Sequence, residues 1–183
     1  MVLVMPQARL SAEEFEALAQ QPQYADARLE FIAGEVYEVP SNNLASHVAA
    51  NILIEIGLYL KQNPIGWLTG ADGGYRVGTD RYIPDLAYNS YARQAAIPDQ
   101  GGYNPVPPDL VVEVIPDVDN RKEADMLRLK LSSYLAQGTT VWVIVPQERR
   151  VEVHAPGRNS LALSEQDTLD GGAVLPGFRV AVK

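Results

Sequence analysis

The chain has 183 residues, of which 46% are hydrophobic and 21% charged, a composition typical of a globular protein. Its length predicts one domain spanning residues 1–183. The net charge of -8 counts against passive binding of nucleic acid, and the lack of cysteine excludes disulfides and thiolate metal sites. We expect a cytoplasmic protein without a membrane span, because the sequence has neither a long apolar run nor a signal-peptide pattern.

The first elements in the sequence are a short helix and a hairpin. Ser11 and Glu14 form a capping box that begins the helix. Residues 29–32 and 35–39 predict two strands joined at an Ala-Gly turn. Glu30 lies in the first of these strands, where it either points towards covered structure or faces solvent.

A long helix follows, and then a second turn signal. Asn42 or Asn43 can cap this helix, which the apolar spacing extends to about Lys61. His47 lies near its start and is interpreted either as a structural hydrogen-bonding group or as a phosphate contact. Residues 67–77 contain two short β-type runs around Asp-Gly-Gly and predict a hairpin.

The next strand contains a single carboxylate. Residues 82–88 form an apolar run in which Ile83, Asp85 and Ala87 share one face. A long loop, residues 91–107, follows it with several proline and glycine residues. Loops of this length are often functional, so we interpret it as a cover for a substrate cleft.

The stretch from residue 108 to residue 134 is the most informative. Residues 110–115 form a β-branched run that predicts a strand covered on both faces, with Glu113 in its middle. A helix from about Asn120 to Gln137 comes next, and Gly138 ends it. Its apolar stripe, at i, i+4 and i+8, contains one lysine: Met126, Lys130 and Tyr134.

These unusual charges have a common explanation if the two strands are neighbours. Asp85 and Glu113 would then converge, and a hard divalent cation would resolve the repulsion between their carboxylates. Lys130 would hold a water or a phosphate oxygen beside them.

The remaining sequence predicts strands. Residues 140–145 form a buried strand, residues 151–154 pair back onto it, and short strands and turns complete the chain. The expected fold is mixed α/β (α+β). A central mixed sheet is flanked by helices, with an added N-terminal helix and hairpin and short C-terminal strands.

A Pro-Asp strand, a Glu strand and then a lysine resemble the PD-(D/E)XK nuclease superfamily. In the usual pattern the lysine follows the acid by two residues, where this chain has Ile115, so the pattern matches the branch in which the lysine lies on the next helix. Within it, the chain resembles the Uma-two-type restriction endonuclease family. The resemblance covers nearly the whole chain and rests on residues 28–37, His47, Pro84-Asp85, residues 108–114, Lys130 with Tyr134, residues 141–146 and residues 175–178. Two motifs differ from the family: Pro116-Asp117 replaces Ser-Pro, and Val145 replaces an Asp.

The resemblance implies a restriction-endonuclease-like fold and Mg²⁺- or Mn²⁺-dependent hydrolysis of DNA. Asp85 and Glu113 would be catalytic and would bind the metal, with Lys130 as the third catalytic residue. Glu30 and His47 would be auxiliary. A homodimer would suit a substrate with two strands.

Several alternatives remain from the residues alone. The three charges would form a buried ion network without a metal if their role is structural. An inactive nuclease fold would act as a nucleic-acid-binding or protein-interaction module. A serine-triad hydrolase lacks its Gly-x-Ser-x-Gly motif here, and two histidines do not support a histidine-rich metal oxygenase.

Overall fold

The computed structural model of the chain describes residues 2–3, 10–40, 42–99, 101–117 and 119–183. The helices are α1 (Ala12–Ala19), α2 (Asn43–Gln62) and α3 (Arg121–Ala136). The strands are β1 (Val2–Leu3), β2 (Leu29–Ile32), β3 (Glu35–Glu38), β4 (Gly66–Thr69), β5 (Tyr75–Val77), β6 (Asp80–Tyr82), β7 (Leu86–Ser90), β8 (Leu110–Val114), β9 (Thr140–Val145), β10 (Arg150–His154), β11 (Leu161–Leu163), β12 (Thr168–Asp170) and β13 (Arg179–Ala181).

The helices begin where the capping residues predict. The Ser11 hydroxyl accepts a hydrogen bond from the Glu14 N–H while the Glu14 carboxylate accepts one from the Ser11 N–H, so the capping box is complete. Asn42 caps α2 and Asn120 caps α3 through their side-chain oxygens. The left-handed Gly138 follows the last turn of α3 and ends it.

The largest sheet has six strands in the order β11-β10-β9-β8-β7-β4. Strands β8 and β9 are parallel, and each of the other neighbouring pairs is antiparallel. All five residues of β8 are buried, as its β-branched run predicts. The fold is therefore the mixed α/β arrangement that the sequence indicates, with the Glu113 strand inside the central sheet.

The two faces of this sheet pack against different helices. Leu110, Val112 and Val114 of β8 join a core cluster with α2 and the C-terminal segment. Val111 joins a second cluster that contains residues of α3 and of the smaller sheet. Since side chains alternate along a strand, Glu113 faces the same side as Val111. The charge in β8 therefore points towards α3.

The smaller sheet has five strands in the order β1-β3-β2-β6-β5. The predicted β2–β3 hairpin is confirmed, and both turn residues, Ala33 and Gly34, have positive φ. The predicted hairpin over residues 67–77 is wrong: β4 pairs with β7 in the large sheet, and β5 pairs with β6 in the small one. The Asp-Gly-Gly signal marks a change of chain direction, but it does not determine which strands pair.

The strand predicted over residues 82–88 is also divided between the sheets. Strand β6 ends at Tyr82 in the small sheet, and β7 begins at Leu86 in the large sheet. Pro84 lies between them and has no N–H to continue a ladder. Asp85 therefore lies in the short link between the two sheets, immediately before β7.

Helix α2 is, among the described residues, the helix whose length and composition would suffice to cross a membrane. It has 20 residues, and its most apolar 18-residue stretch has a mean hydropathy of 1.2 and is 22% buried. This is weak evidence for a span, because core helices of soluble proteins meet the same criteria. In this fold α2 packs one face against the large sheet through Ala45, Ala49, Ile52 and Ile56.

We expect this packing to distinguish two isoleucines of α2. Ile56 is 0% exposed in the core, whereas Ile54 is 55% exposed. Ile56→Ala should lower the free energy of unfolding by about 2–5 kcal/mol, because it leaves a cavity. The matched control Ile54→Ala should change it by about 0.5 kcal/mol or less. Urea denaturation measures both, and equal effects would contradict the described orientation of α2.

Candidate functional site

A cleft of about 260 Å³ opens where the small sheet, the large sheet, α2 and α3 meet. Most of its walls are apolar. Its charged lining residues are Glu30, Asp85, Glu113, Glu123 and Lys130. The predicted catalytic residues, which are distant in sequence, therefore share one cavity.

The pairing of β7 with β8 brings Asp85 close to Glu113. The strands are antiparallel, with Leu86 opposite Val112. Asp85 extends this pairing by one step, because its Oδ2 accepts a hydrogen bond of 2.8 Å from the Val114 N–H. The sequence prediction that these two carboxylates lie on neighbouring strands is thus supported, although Asp85 precedes its strand.

Lys130 reaches the same point from α3. Met126, Lys130 and Tyr134 form the buried stripe of this helix, as their spacing predicts. The Lys130 Nζ lies 2.8 Å from Glu113 Oε1 and 2.9 Å from Glu30 Oε1. Lys130 is 4% exposed, Glu113 7% and Glu30 0%. The ammonium is therefore held between two buried carboxylates.

Glu30 links three parts of the fold. Its Oε1 accepts hydrogen bonds from Lys130 and, at 2.8 Å, from the N–H of Ile83 in the link before Asp85. Its Oε2 is buried and has no hydrogen-bond partner among the described residues. The alternative of a solvent-exposed Glu30 is wrong, because β2 is covered and lies between β3 and β6.

Two tyrosines complete the surroundings of the lysine. The Tyr134 hydroxyl donates to Glu113 Oε1 at 3.1 Å, and the Tyr82 ring centroid lies 5.4 Å from the Lys130 Nζ. The rings of Tyr82 and Tyr134 contact each other. Tyr134 shares the helical stripe of Lys130, so its position follows from the sequence. Tyr82 was missed because no local pattern indicates a cation–π contact.

Burial shifts the pKa values of these groups. It raises the pKa of Glu113 to about 7, against the opposing effect of the Lys130 charge and with support from Glu30 and Asp85. Burial likewise raises the pKa of Asp85 above its ordinary value. Burial alone would lower the pKa of Lys130, but the Glu113 and Glu30 carboxylates outweigh it and raise the pKa. The ammonium stays protonated, while the carboxyl groups of Glu113 and Asp85 are costly to ionise.

Two further predictions about the site are not supported by the geometry. His47 does not line the cleft; its ring is within hydrogen-bond distance of Asn51 on the exposed side of α2. Ala45, two residues earlier, occupies the helical phase that faces the cleft. The loop over residues 91–107 contributes no described residue to the cleft walls. Asn104 instead pairs through its backbone with Gly74 and Arg76, beside β5.

The charges present fit a hard divalent cation held by two carboxylates. The carboxylates of Glu30 and Glu113 contact one ammonium and that of Asp85 lines the same cleft, so a further cation would offset the excess negative charge. The described residues contain no group of three or more His, Cys, Asp or Glu side chains that would form a metal site by themselves. Mg²⁺ commonly binds through one or two carboxylates and retains several waters, which this donor set permits. The ion pair predicted by the purely structural alternative is also present.

Replacement of Lys130 should therefore destabilise the fold. Lys130→Met leaves two buried carboxylates unpaired and should cost about 3–5 kcal/mol of unfolding free energy at pH 8. The exposed Arg128, paired with Asp125, is the control, and Arg128→Met should cost about 1 kcal/mol or less.

Because the folded-state pKa of Glu113 is raised, its contribution to stability falls as pH rises from about 4.5 through about 7. The loss of unfolding free energy caused by Lys130→Met should thus be smaller at pH 5.5 than at pH 8. Urea denaturation measures the loss at both pH values, and equal losses would contradict this prediction.

Comparisons with known proteins identify a family and a shared fold. The family model described as "Putative restriction endonuclease" (Uma2) matches residues 12–183. A crystal structure from Anabaena variabilis, described as a putative nuclease belonging to DUF820, superimposes with a TM-score of 0.76 at 16% identity, covering 94% of this chain and 95% of that one. This likeness shows a shared fold. No curated protein matches the sequence. The family match spans nearly the whole chain, and the chain therefore belongs to the Uma2 family.

Proposed function

We propose that the chain is a metal-dependent endonuclease that hydrolyses phosphodiester bonds in DNA. The observation that carries this proposal is the convergence of Asp85 and Glu113 in one cleft, with Lys130 bonded to Glu113. Asp85 and Glu113 would bind Mg²⁺ or Mn²⁺. Membership of a nuclease family implies a nucleic-acid substrate and divalent-metal chemistry of this kind.

The residues of the chain have separate roles in this proposal. The Val114 N–H holds one oxygen of Asp85, and the other oxygen would bind the metal. Tyr134 and Lys130 both bind Oε1 of Glu113, which keeps the carboxylate in a single orientation. A bound divalent cation would lower the pKa of a water and offset charge on the scissile phosphate.

Lys130 has one donor available for the substrate. Its ammonium carries three N–H groups, and two of them bind the Glu30 and Glu113 carboxylates. The third can hold the attacking water or an oxygen of the phosphate as negative charge develops. Glu30 is then a positioning residue, since it holds both Lys130 and the segment that precedes Asp85.

A second candidate function is an inactive nuclease fold that binds nucleic acid or protein. Its support is the same ion network, because Glu30, Glu113 and Lys130 already satisfy much of one another's charge. The net charge of -8 and the sequence departures at Pro116-Asp117 and Val145 also favour it. The cytoplasmic location and the homodimer remain predictions under either function.

Metal titration with DNA cleavage separates these candidates. We expect the wild type to bind Mn²⁺ in calorimetry and to nick plasmid DNA. Asp85→Asn and Glu113→Gln should lose both activities, because each removes a carboxylate ligand. Lys130→Ala should lose nicking, with circular dichroism used to measure the folded fraction. The control Asp99→Asn removes an exposed acid and should change neither activity.

The outcomes assign the function. Metal binding without cleavage of any DNA or RNA would favour the inactive module. If the wild type binds no metal and the acid substitutions alter only the unfolding free energy, the charged residues of the cleft form a structural ion network and the proposal is wrong.

A further inference from the structure

One face of α2 is left uncovered by the rest of the fold. Leu44, Ile54 and Leu58 on this face are 44%, 55% and 52% exposed, whereas another face of the helix packs against the large sheet. These three are among the eight large hydrophobic side chains that are exposed in the described part of the chain. Single exposed hydrophobic residues are ordinary, but a group of them on one element indicates an interaction surface.

The exposed residues of α2 are placed symmetrically about Asn51. Leu44 and Leu58 lie seven residues before and after it, and His47 and Glu55 lie four residues before and after it. With about 3.6 residues per turn, these five positions fall within about 80° of the helix circumference. All five residues are exposed, so they form one surface stripe, which we call the α2 stripe.

The order of residues makes the α2 stripe complementary to itself. In an antiparallel pair with a two-fold axis at Asn51, Leu44 of one copy lies opposite Leu58 of the other, and this contact occurs twice. His47 likewise lies opposite Glu55, which pairs a hydrogen-bond donor with a carboxylate. The two Asn51 amides meet on the axis, where each can donate an N–H to the carbonyl oxygen of the other. A parallel pair would instead place Glu55 against Glu55, which is unfavourable.

The polar residues of the stripe have bonding capacity left for a second copy. Among the described residues, the Glu55 carboxylate has no hydrogen bond or ion pair, and the His47 ring is within hydrogen-bond distance of Asn51 alone, at 3.3 Å. These polar residues also favour a second copy over a bilayer as the cover of the stripe, because ionisable groups are costly in hydrocarbon. A buried Asn in a helix pair fixes the register at some cost in stability.

The surface beside the stripe is concave. A groove of about 540 Å³ lies between α2 and the C-terminal strand β13, and Val48, Asn51 and Glu55 form part of its α2 wall. Side chains of an apposed helix therefore have room to enter. The stripe is about 21 Å long, at about 1.5 Å per residue, so the helix pair is a small interface and its affinity should be modest.

We propose that the α2 stripe is the contact surface between two copies of this chain, with the two α2 helices antiparallel about Asn51. This proposal goes beyond the nuclease function and holds whether or not the cleft is active. Asn42 and Ala45, at the start of α2, line the cleft. The two clefts of the dimer would therefore lie towards opposite ends of the helix pair.

Sedimentation equilibrium over about 1–200 µM protein tests the proposal. We expect the average mass of the wild type to rise from that of one chain towards that of two, with a dissociation constant in the micromolar range. Leu58→Glu places a charge in the stripe and should raise this constant about tenfold or more. The matched control is Leu129→Glu, because Leu129 is 47% exposed on α3, and it should change the constant by about twofold or less.

A charge exchange tests the antiparallel register. His47→Glu puts a carboxylate opposite Glu55 at two places in the dimer and should raise the dissociation constant about tenfold or more. Adding Glu55→Lys restores opposite charges at both places and should return the constant to within about threefold of the wild type. In a parallel pair the double variant would set like charges against each other, and it would stay dissociated.

The outcomes decide the proposal independently of nuclease activity. A wild type that remains a monomer at about 200 µM would overturn it, and so would equal effects of Leu58→Glu and Leu129→Glu. Failure of the double variant to recover would overturn the antiparallel register. A monomer that floats with vesicles of phosphatidylcholine and phosphatidylglycerol would assign the stripe to a bilayer instead. Circular dichroism confirms that each variant is folded, and Leu44→Glu replaces Leu58→Glu if the latter does not fold.

Discussion

The buried ammonium of Lys130 between the Glu30 and Glu113 carboxylates constrains the whole structure. A charge in this position is tolerated only with close partners, and the lysine on α3 finds them on two other elements, Glu30 on β2 and Glu113 on β8. The small sheet must therefore lie against the large sheet, and α3 must present Lys130 rather than a neighbouring residue. Removal of the lysine would expose two unpaired carboxylates to an apolar surrounding.

The same network leaves an excess of negative charge in the cleft, which favours the binding of a further cation. One ammonium cannot neutralise three carboxylates, and Asp85 lies beside Glu113 through the pairing of β7 with β8. Burial raises the pKa values of both acids, so ionising them is unfavourable without a further cation. A purely structural network would have no need of this surplus carboxylate, and this is why we prefer the metal-binding interpretation to the inactive module.

Much of the site was predictable from the sequence because its signals are local. A lone Glu113 in a β-branched run and a lone Lys130 in a helical apolar stripe each identify a residue that burial would make costly without a partner. Local signals did not predict that residues 82–88 are divided between two strands, or that β4 pairs with β7 and β5 with β6. Strand pairing depends on residues that are distant in sequence. Pro84 did carry a signal for the break. Positions 45 and 47 likewise lie on different faces of α2, so Ala45 lines the cleft and His47 does not. The family resemblance had nevertheless indicated His47 as an auxiliary residue of the site.

Manganese anomalous diffraction from crystals of the wild-type protein tests the central claim most directly. If Asp85 and Glu113 form one divalent-cation site, the anomalous map will show a peak within ligand distance of both carboxylates, with Lys130 still bonded to Glu113. The peak will be absent from Asp85→Asn crystals grown under the same conditions. A wild-type map without a peak at these carboxylates, in Mn²⁺ sufficient to occupy such a site, would contradict the claim and leave the cleft as a buried ion network.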